Sequence, residues 1–562
     1  MIGKSSSVCA CILLTGFGIW LSGLGSCRSS VKTYHKNISH AEVKDEQIAK
    51  GEILAARYCQ SCHLLPTPEL LDAATWENGV LPQMGPRLGI FEYIYKQYPN
   101  NSGDPNVGRD FYPSEPLMSM EDWGALMDYY TALSPDTLPP QQRKEALRAD
   151  TTLFAIEKPS VPGGNLPAEG TSSTAGSFPA AGTPSAIGTS SATVTPPATC
   201  YIGYDTLRHE IFTADIIKHT LDRWNGRLER LPSLMTGGSV VSMAGDGNGY
   251  TVCNIGAFAP TNGKAGYIDR ISIHDRRISQ DTPSLYNGLM RPVQILSADL
   301  NGDGKKDLLV CEFGFIKGEL SWLENKGNNK FEKHVLRNVP GAIRAVVQDY
   351  NHDGLPDIWV LFAQGDEGIF LYTNKGHGQF EERQVLRFPA CYGSTYFELD
   401  DFNQDGNPDI LYTCGDNGDF STVLKPYHGV YIYMNDGTAN FVQRYFFPVN
   451  GCYRAMAADL NRDGRTDIAA ISYFADYHRQ PEEGFVYLQN EGDMKAGDFK
   501  FSPHSVPGTE VGRWITMDVR DIDGDGKPDI LLANCSVGPS FNKSGTDWKK
   551  GPPFIVLKNR GK

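Results

Sequence analysis

Five copies of one nine-residue pattern constrain this chain more than anything else in it. The pattern is D-x-[ND]-x-D-G-x-x-D. It occurs in ADLNGDGKKDLLV from Ala298, QDYNHDGLPDIWV from Gln348, LDDFNQDGNPDILY from Leu399, ADLNRDGRTDIAA from Ala458 and RDIDGDGKPDILL from Arg520. Each copy runs directly into a short apolar stretch with strand character. The first Asp falls at 299, 349, 401, 459 and 521, at intervals of 50, 52, 58 and 62 residues. Units of roughly this length that carry several strands each close into a ring of sheets, a β-propeller, rather than a two-layer domain.

The spacing also carries chemistry. A hard cation such as Ca²⁺ takes six to eight oxygen ligands, and oxygens at alternate positions of a tight loop can converge on one point. Glycine at position six allows the turn. The oxygen sets are Asp299, Asn301, Asp303, Asp307; Asp349, Asn351, Asp353, Asp357; Asp401, Asn403, Asp405, Asp409; Asp459, Asn461, Asp463, Asp467; and Asp521, Asp523, Asp525, Asp529, with the carbonyl at position seven available in each. One copy could be a solvated β-turn, since Asp, Asn and Gly favour turns. Five ungapped copies point to about five Ca²⁺ sites.

After each loop comes a strand, then another ending in Asn: Ser321–Asn325, Phe370–Asn374, Tyr431–Asn435, Val486–Asn490 and Ile555–Asn559. In the first three units a Gly-containing turn and a strand at Phe331, Phe380 or Phe441 complete four strands. Residues 200–290 have room for two more units, and AGDGNGYTV from Ala244 is a worn loop copy. Seven blades are expected, with six or eight as alternatives. The loops resemble the FG-GAP (VCBS-type) repeats of integrin-like β-propellers over residues 199–562. That resemblance implies calcium in a structural role between the first two strands of a blade.

Antiparallel order puts all the acidic loops on one face and the longer second-to-third-strand connections on the other. Those connections gather Asp416, Asp419, Lys425, Tyr427, His428, Tyr473, Asp476, His478 and Trp548 at one rim. Such loops are where function sits on a rigid scaffold. No catalytic motif is readable among them, and the catalytic residues are unknown.

With 562 residues the chain has room for more than one domain. Its formal charge of −14 argues against a nucleic-acid partner. Residues 1–27, MIGKSSSVCACILLTGFGIWLSGLGSC, have the charge and apolar core of an export signal. Leu24–Cys27 resembles a bacterial lipobox, which implies lipidation at Cys27 and a lipid-anchored lipoprotein of the bacterial cell envelope. The outer membrane or cell surface is favoured over the inner membrane, in a periplasmic or extracellular setting. Residues 28–42 read as a tether.

Twelve cysteines could suggest disulfides, but seven of them, at 200, 253, 311, 391, 414, 452 and 535, leave an odd thiol. Cys311, Cys414 and Cys535 follow strands as buried thiols would. Cys59 and Cys62 instead belong to Cys59-Gln-Ser-Cys62-His63, which follows a helical stretch, DEQIAKGEILAA, with Ile48, Ile53 and Leu54 on one side. C-x-x-C-H is the attachment pattern of covalent c-type haem: two thiols one turn apart hold the macrocycle and the adjacent His ligates iron. No second Cys/His pair with zinc spacing follows.

Residues 43–140 resemble a small all-α class I cytochrome c. Met120–Tyr130 is the expected last helix, capped by Ser119. Met84 in LPQMGPRLG is the favoured sixth iron ligand, with Met118 the alternative. Residues 141–198 contain a Gly/Pro/Ala/Ser/Thr tract and read as a linker. Thr151–Ile156 has the alternative reading of a strand pairing with the last blade.

The combined expectation is a multidomain chain, an all-α haem unit followed by an all-β propeller. It transfers electrons through one covalent haem, and its calcium-bearing propeller binds a redox partner protein, an exported oxidoreductase or a polysaccharide. An oxidoreductase active on sugars and a carbohydrate-binding adhesin are the rival functions.

Overall fold

Strand-forming runs ending in Asn and separated by acidic turns fold as the repeat predicts. The computed structural model describes residues 33–35, 42–160, 195–247, 249–274, 277–418, 421–539 and 545–561. The leader with Cys27, Asp419 and most of the Gly/Pro-rich tract lie outside these. Within the stretch read as a tether, Thr33–His35 pairs antiparallel with Glu42–Lys44.

Seven sheets, each with an antiparallel four-stranded core, make a β-propeller. The third blade shows the plan: Pro292–Ala298, Asp307–Glu312, Glu319–Asn325 and Phe331–Arg337, in that spatial order. The first two blades begin at Thr199 and Val240, in the span left open for them. Every residue of Asp307–Glu312, Asp357–Phe362, Asp409–Cys414 and Asp467–Ser472 is buried, because second strands are covered by neighbouring blades on both faces. Their near-continuous apolar character is what two-sided burial requires. Outer strands such as Phe331–Arg337 face solvent and hold only half-buried and exposed residues.

Between the third and fourth blades Leu309, Trp322, Phe362 and Phe370 form one core. Between the fifth and sixth, Leu411, Ile432, Ile468 and Val486 form another. Cys311, Cys414 and Cys535 are buried free thiols, and burial pushes the Cys311 thiol up to about 12.

The ring is closed by chain that precedes it. Three strands of the seventh blade come from its end, Trp514–Arg520, Asp529–Asn534 and Phe554–Asn559. The fourth is Phe154–Glu157, antiparallel to Phe554–Asn559 with Phe154 opposite Asn559. Arg148–Ala149 adds in parallel to the edge of the sixth blade. The first part of the expected linker is therefore built into the sheets, and the tract after it starts and ends on the propeller. Phe154 is 4 % exposed, packs edge-on against Tyr487 at 5.7 Å, and the Tyr487 hydroxyl donates to Asp150 at 2.7 Å.

Ahead of the ring lies a small helical region. Its first helix, Asp45–Tyr58, buries Ile48, Gly51 and Ala55, while Ile53 is 68 % exposed. The Ile48–Ile53–Leu54 face read from the sequence is thus rotated. The cause is Gly51: a Cβ there would lie 2.2 Å from the Ala125 carbonyl oxygen, so the helices cross where only glycine fits. The other long helix, Met120–Leu133, is capped by Ser119, whose hydroxyl accepts the Asp122 N–H at 3.1 Å.

This helical region is seated on the long-loop face of the propeller. Leu64 bridges Pro389, and the Tyr427 hydroxyl donates to the Leu70 carbonyl at 3.0 Å. Gln141 donates to the carbonyls of Lys425 and His428 at 3.1 and 2.7 Å. On the second blade, Asn262 donates to Asp104 at 2.9 Å.

The closing strand predicts a large effect from one ring. Phe154→Ala removes a side chain shared by two blades and is expected to cost about 3–5 kcal/mol. Equilibrium denaturation measures it, and a loss under 1 kcal/mol would contradict this account of closure.

Candidate functional site

The five acidic loops lie on the face opposite the helical region, each joining the first and second strands of a blade. Their backbone geometry repeats. Position six is left-handed at Gly304, Gly354, Gly406, Gly464 and Gly526, with φ between 80° and 89°. Open space surrounds four of these glycines, so backbone angle and not crowding requires them.

The first Asp of each loop gathers backbone N–H groups. Asp299 accepts from Gly302, Asp303 and Gly304 at 2.8, 3.1 and 2.8 Å, and Asp459 accepts from Asp463 and Gly464. Asn301, Asn351, Asn403 and Asn461 each take the N–H two residues on.

The ninth position has a second role that spacing could not reveal. One oxygen of Asp467 accepts the Leu460 N–H and the other the Asn490 N–H, at 3.0 and 2.7 Å. Asp307, Asp357, Asp409 and Asp529 do the same with Leu300 and Asn325, Tyr350 and Asn374, Phe402 and Asn435, and Ile522 and Asn559. Each Asn then sends its amide back to the carbonyl before the Asp, as Asn490 does to Thr466 at 3.2 Å. This pairing explains the Asn that closes every third strand. It ties the acidic loop to the middle of its blade.

Burial pushes Asp409 and Asp467 up to about 7, with the neighbouring loop carboxylates adding to it. Asp307 and Asp529 are also raised, first by burial. In the fifth loop, oxygens of Asp521, Asp523 and Asp525 lie within 4.8 Å of one another. There Lys558 reaches Asp523 and Asp529 at 2.6 and 2.9 Å, so an ammonium already offsets part of the charge. Hard oxygens crowded around a turn, with the ninth-position carboxyls of four loops raised by burial, fit a divalent cation.

The first two blades lack the full loop, and here the same face opens into a cavity of about 530 Å³. It is lined by Tyr201, Tyr204, Arg208, Phe212, Met243 and Tyr250. Arg208 donates to the Tyr250 hydroxyl at 3.1 Å. The worn copy at AGDGNGYTV was the sequence signal for this opening.

On the other face the predicted rim is largely closed. His428 is fully buried and Lys425 is 1 % exposed, with its ammonium on Asn417. Tyr427 lies under the helical region, while Tyr473, Asp476 and Trp548 are 4, 5 and 9 % exposed. The exposed chemical rim expected from loop composition is instead a set of packing groups, because the helical region and the loops themselves cover it. Among the described rim residues His478 alone is exposed.

In the helical region, Cys59 and Cys62 sit in the turn ending the first helix, as free thiols. Burial pushes the Cys59 thiol up to about 11. His63 is half-buried and its Nδ1 donates to the Leu64 carbonyl at 3.0 Å, which leaves Nε2 for another partner. Met84 ends the turn Leu81–Met84 and is half-buried, whereas Met118 is 7 % exposed within the core. Arg87, just past Met84, lies over the Phe111 ring at 4.3 Å from its centre.

Along the propeller axis the guanidiniums of Arg344 and Arg454 lie 4.9 and 4.5 Å from the Tyr396 ring centre. Glu398 takes the Ala457 N–H nearby, and burial pushes its carboxyl up to about 7. An unfolded Glu ionises near 4.3. Below that value both states are protonated and nothing is gained or lost. Between it and pH 7 the unfolded chain ionises first, so stability falls as pH rises, by about 4 kcal/mol in all. Glu398→Gln is expected to flatten this fall between pH 5 and 8 and to be the more stable protein at pH 8. Denaturation at both pH values checks it, and equal slopes would refute it.

Comparison with known proteins agrees with the repeat. The FG-GAP-like repeat family matches residues 299–360 and 349–412. Integrin alpha-PS3 of Drosophila melanogaster is 32% identical over 117 residues, 18% of this chain and 10% of that protein. The T-cell immunomodulatory protein homolog of Plasmodium falciparum (isolate 3D7) is 24% identical over 269 residues, 40% of this chain and 36% of that protein. The chain thus spans only about a tenth and a third of these relatives. Among solved structures, an ancestral GH74 enzyme aligns over 65% of this chain and 48% of its own, at 10% identity and a TM-score of 0.43. The N-terminal domain of Nup159 aligns over 65% and 91%, at 11% identity and a TM-score of 0.39. Neither structural likeness bears on function. The chain is a seven-bladed β-propeller carrying FG-GAP-like repeats.

Proposed function

We propose that this chain is an exported, lipid-anchored c-type haem protein for electron transfer, whose calcium-braced propeller binds a partner or ligand. The observation that carries the haem reading is the Cys59–His63 turn. Two free thiols lie one turn apart, and the adjacent imidazole is oriented through Nδ1 with Nε2 left available. Cys59 and Cys62 would hold the macrocycle, and His63 and Met84 would ligate iron. Met84 is favoured over Met118 because Met118 is spent on the core, packed with Trp123 and Leu126. Bound there, haem supplies one-electron chemistry at a potential raised by a His/Met pair.

The chain's own residues then shield and orient that site. Tyr130 packs against Trp76 at 4.4 Å and donates to the Pro66 carbonyl at 3.1 Å, closing the turn that follows His63. The burial of Lys425 and His428 weighs against substrate oxidation at the long-loop rim. The cavity between the first two blades, on the open face, is the better place for a ligand. A bacterial-envelope location rests on the leader and Cys27.

Two measurements test the reading. Protein made with functional haem-attachment machinery is expected to carry one covalent haem per chain, and Cys59→Ser/Cys62→Ser none; colourless wild-type protein would end the haem proposal. For calcium, excess chelator is expected to lower the melting temperature. Asp463→Ala should abolish part of that calcium-dependent stabilisation yet cost little in chelator. Asp467→Ala should cost about 3 kcal/mol even in chelator, because two buried N–H groups lose their acceptor. Melting unaffected by chelator, with no metal by elemental analysis, would end the calcium proposal.

A further inference from the structure

The segment just after His63 is held from both sides. Within the helical region, Tyr130 donates to Pro66. From the propeller, Pro389 bridges Leu64, and the Tyr427 hydroxyl is shared between the carbonyls of Leu70 and Cys391 at 3.0 and 3.3 Å. Tyr427 is itself fixed by stacking on Tyr392 at 4.7 Å. Cys391 and Val423, both propeller residues, pack against the same core cluster as Cys59, Leu65 and Tyr130. The core of the helical region is therefore completed by side chains that lie more than 250 residues further along the chain.

The Leu64 carbonyl matters because it is the acceptor for His63 Nδ1–H. A hydrogen bond at Nδ1 decides the tautomer, the ring orientation and the basicity of Nε2. Whatever holds the Leu64 backbone therefore sets the imidazole. Leu64 has no helix around it: the first helix ends at Tyr58, and the chain runs through turns to Pro68. The bridge to Pro389 supplies the fixed frame that local structure does not.

We propose that the propeller is part of the haem site: Pro389–Tyr392 and Tyr427 are positioning residues that hold Leu64–Leu70, and through the Leu64 carbonyl they orient His63. This rests on the haem reading above. It also means that the helical region works docked, as a fixed relay over the propeller, rather than as a swinging carrier on a linker.

The test uses the full-length haem-loaded protein and two variants. Tyr427→Phe deletes only the hydroxyl that reaches Leu70, and Val423→Glu places a charge in the shared core. Tyr372→Phe is the control, since its hydroxyl serves Glu382 within the fourth blade, away from the helical region. In both test variants haem content is expected to stay at one per chain. Amide exchange across Leu64–Leu71 should rise several-fold, the reduction midpoint should shift, and the low-spin electron paramagnetic resonance signal of the haem iron should shift or broaden. The control should match the wild type in all three. Faster exchange with an unchanged midpoint and unchanged resonance would mean that the contact is merely structural and would overturn the proposal, as would no change in any readout. A wild-type protein without haem would instead overturn the reading on which it rests, and is distinguished by its lack of colour.

Discussion

The rest of the structure depends on a buried carboxylate that joins two neighbouring strands of a blade through backbone N–H groups. At Asp307, Asp357, Asp409, Asp467 and Asp529 the same side chain accepts from the start of its own loop and from the Asn at the end of the third strand. A buried N–H without a partner costs about 1–3 kcal/mol, so a group that satisfies two at once fixes the loop and the register together. It is also why the loop can be acidic and ordered. Its last carboxylate is anchored in the blade, and the first three positions are arranged around it. A cation bound there would draw on a frame that the protein already builds.

Closure of the ring is the second constraint. The blades pack through apolar faces, and a sheet ring left open would expose the face of its last blade. Phe154–Glu157 supplies the missing outer strand, and the chain then leaves for the Gly/Pro-rich tract and returns at Thr199. The N-terminal helical region is consequently joined to the ring by sheet hydrogen bonds, and is seated on the long-loop face by Leu64, Leu70, Asp104 and Gln141. Loops that looked from composition like an open site became the seat of a neighbouring region. A polar loop residue such as Lys425 can serve solvent, substrate or a packed neighbour with equal chemistry. Its 1 % exposure is a property of what lies above it.

The two faces of the propeller thus have different characters. One carries five acidic loops and, where two blades lack them, an open cavity. The other is occupied by the helical region with its Cys59–His63 turn. This division follows from antiparallel order alone, because connections from strand one to strand two and from strand two to strand three must emerge at opposite ends of a blade.

The sequence by itself determined the repeat, the propeller plan of six to eight blades, the acidic-loop spacing, the Ser119 cap and the grouping of Cys59, Cys62 and His63. All of these are local: nine residues make a loop, five make the Cys59–His63 turn, and strand periodicity needs only its own residues. Only the tertiary structure decided what was non-local. It turned the first helix at Gly51, because the close approach of Ala125 and Tyr129 is a fact about a second helix. It placed the Asn of each third strand on an Asp some 17 to 30 residues earlier, a pairing that requires the blade to exist. It decided for the strand reading of 151–156 over the linker reading and buried the long-loop rim, because edge pairing and docking depend on which surfaces are left uncovered once the ring has formed.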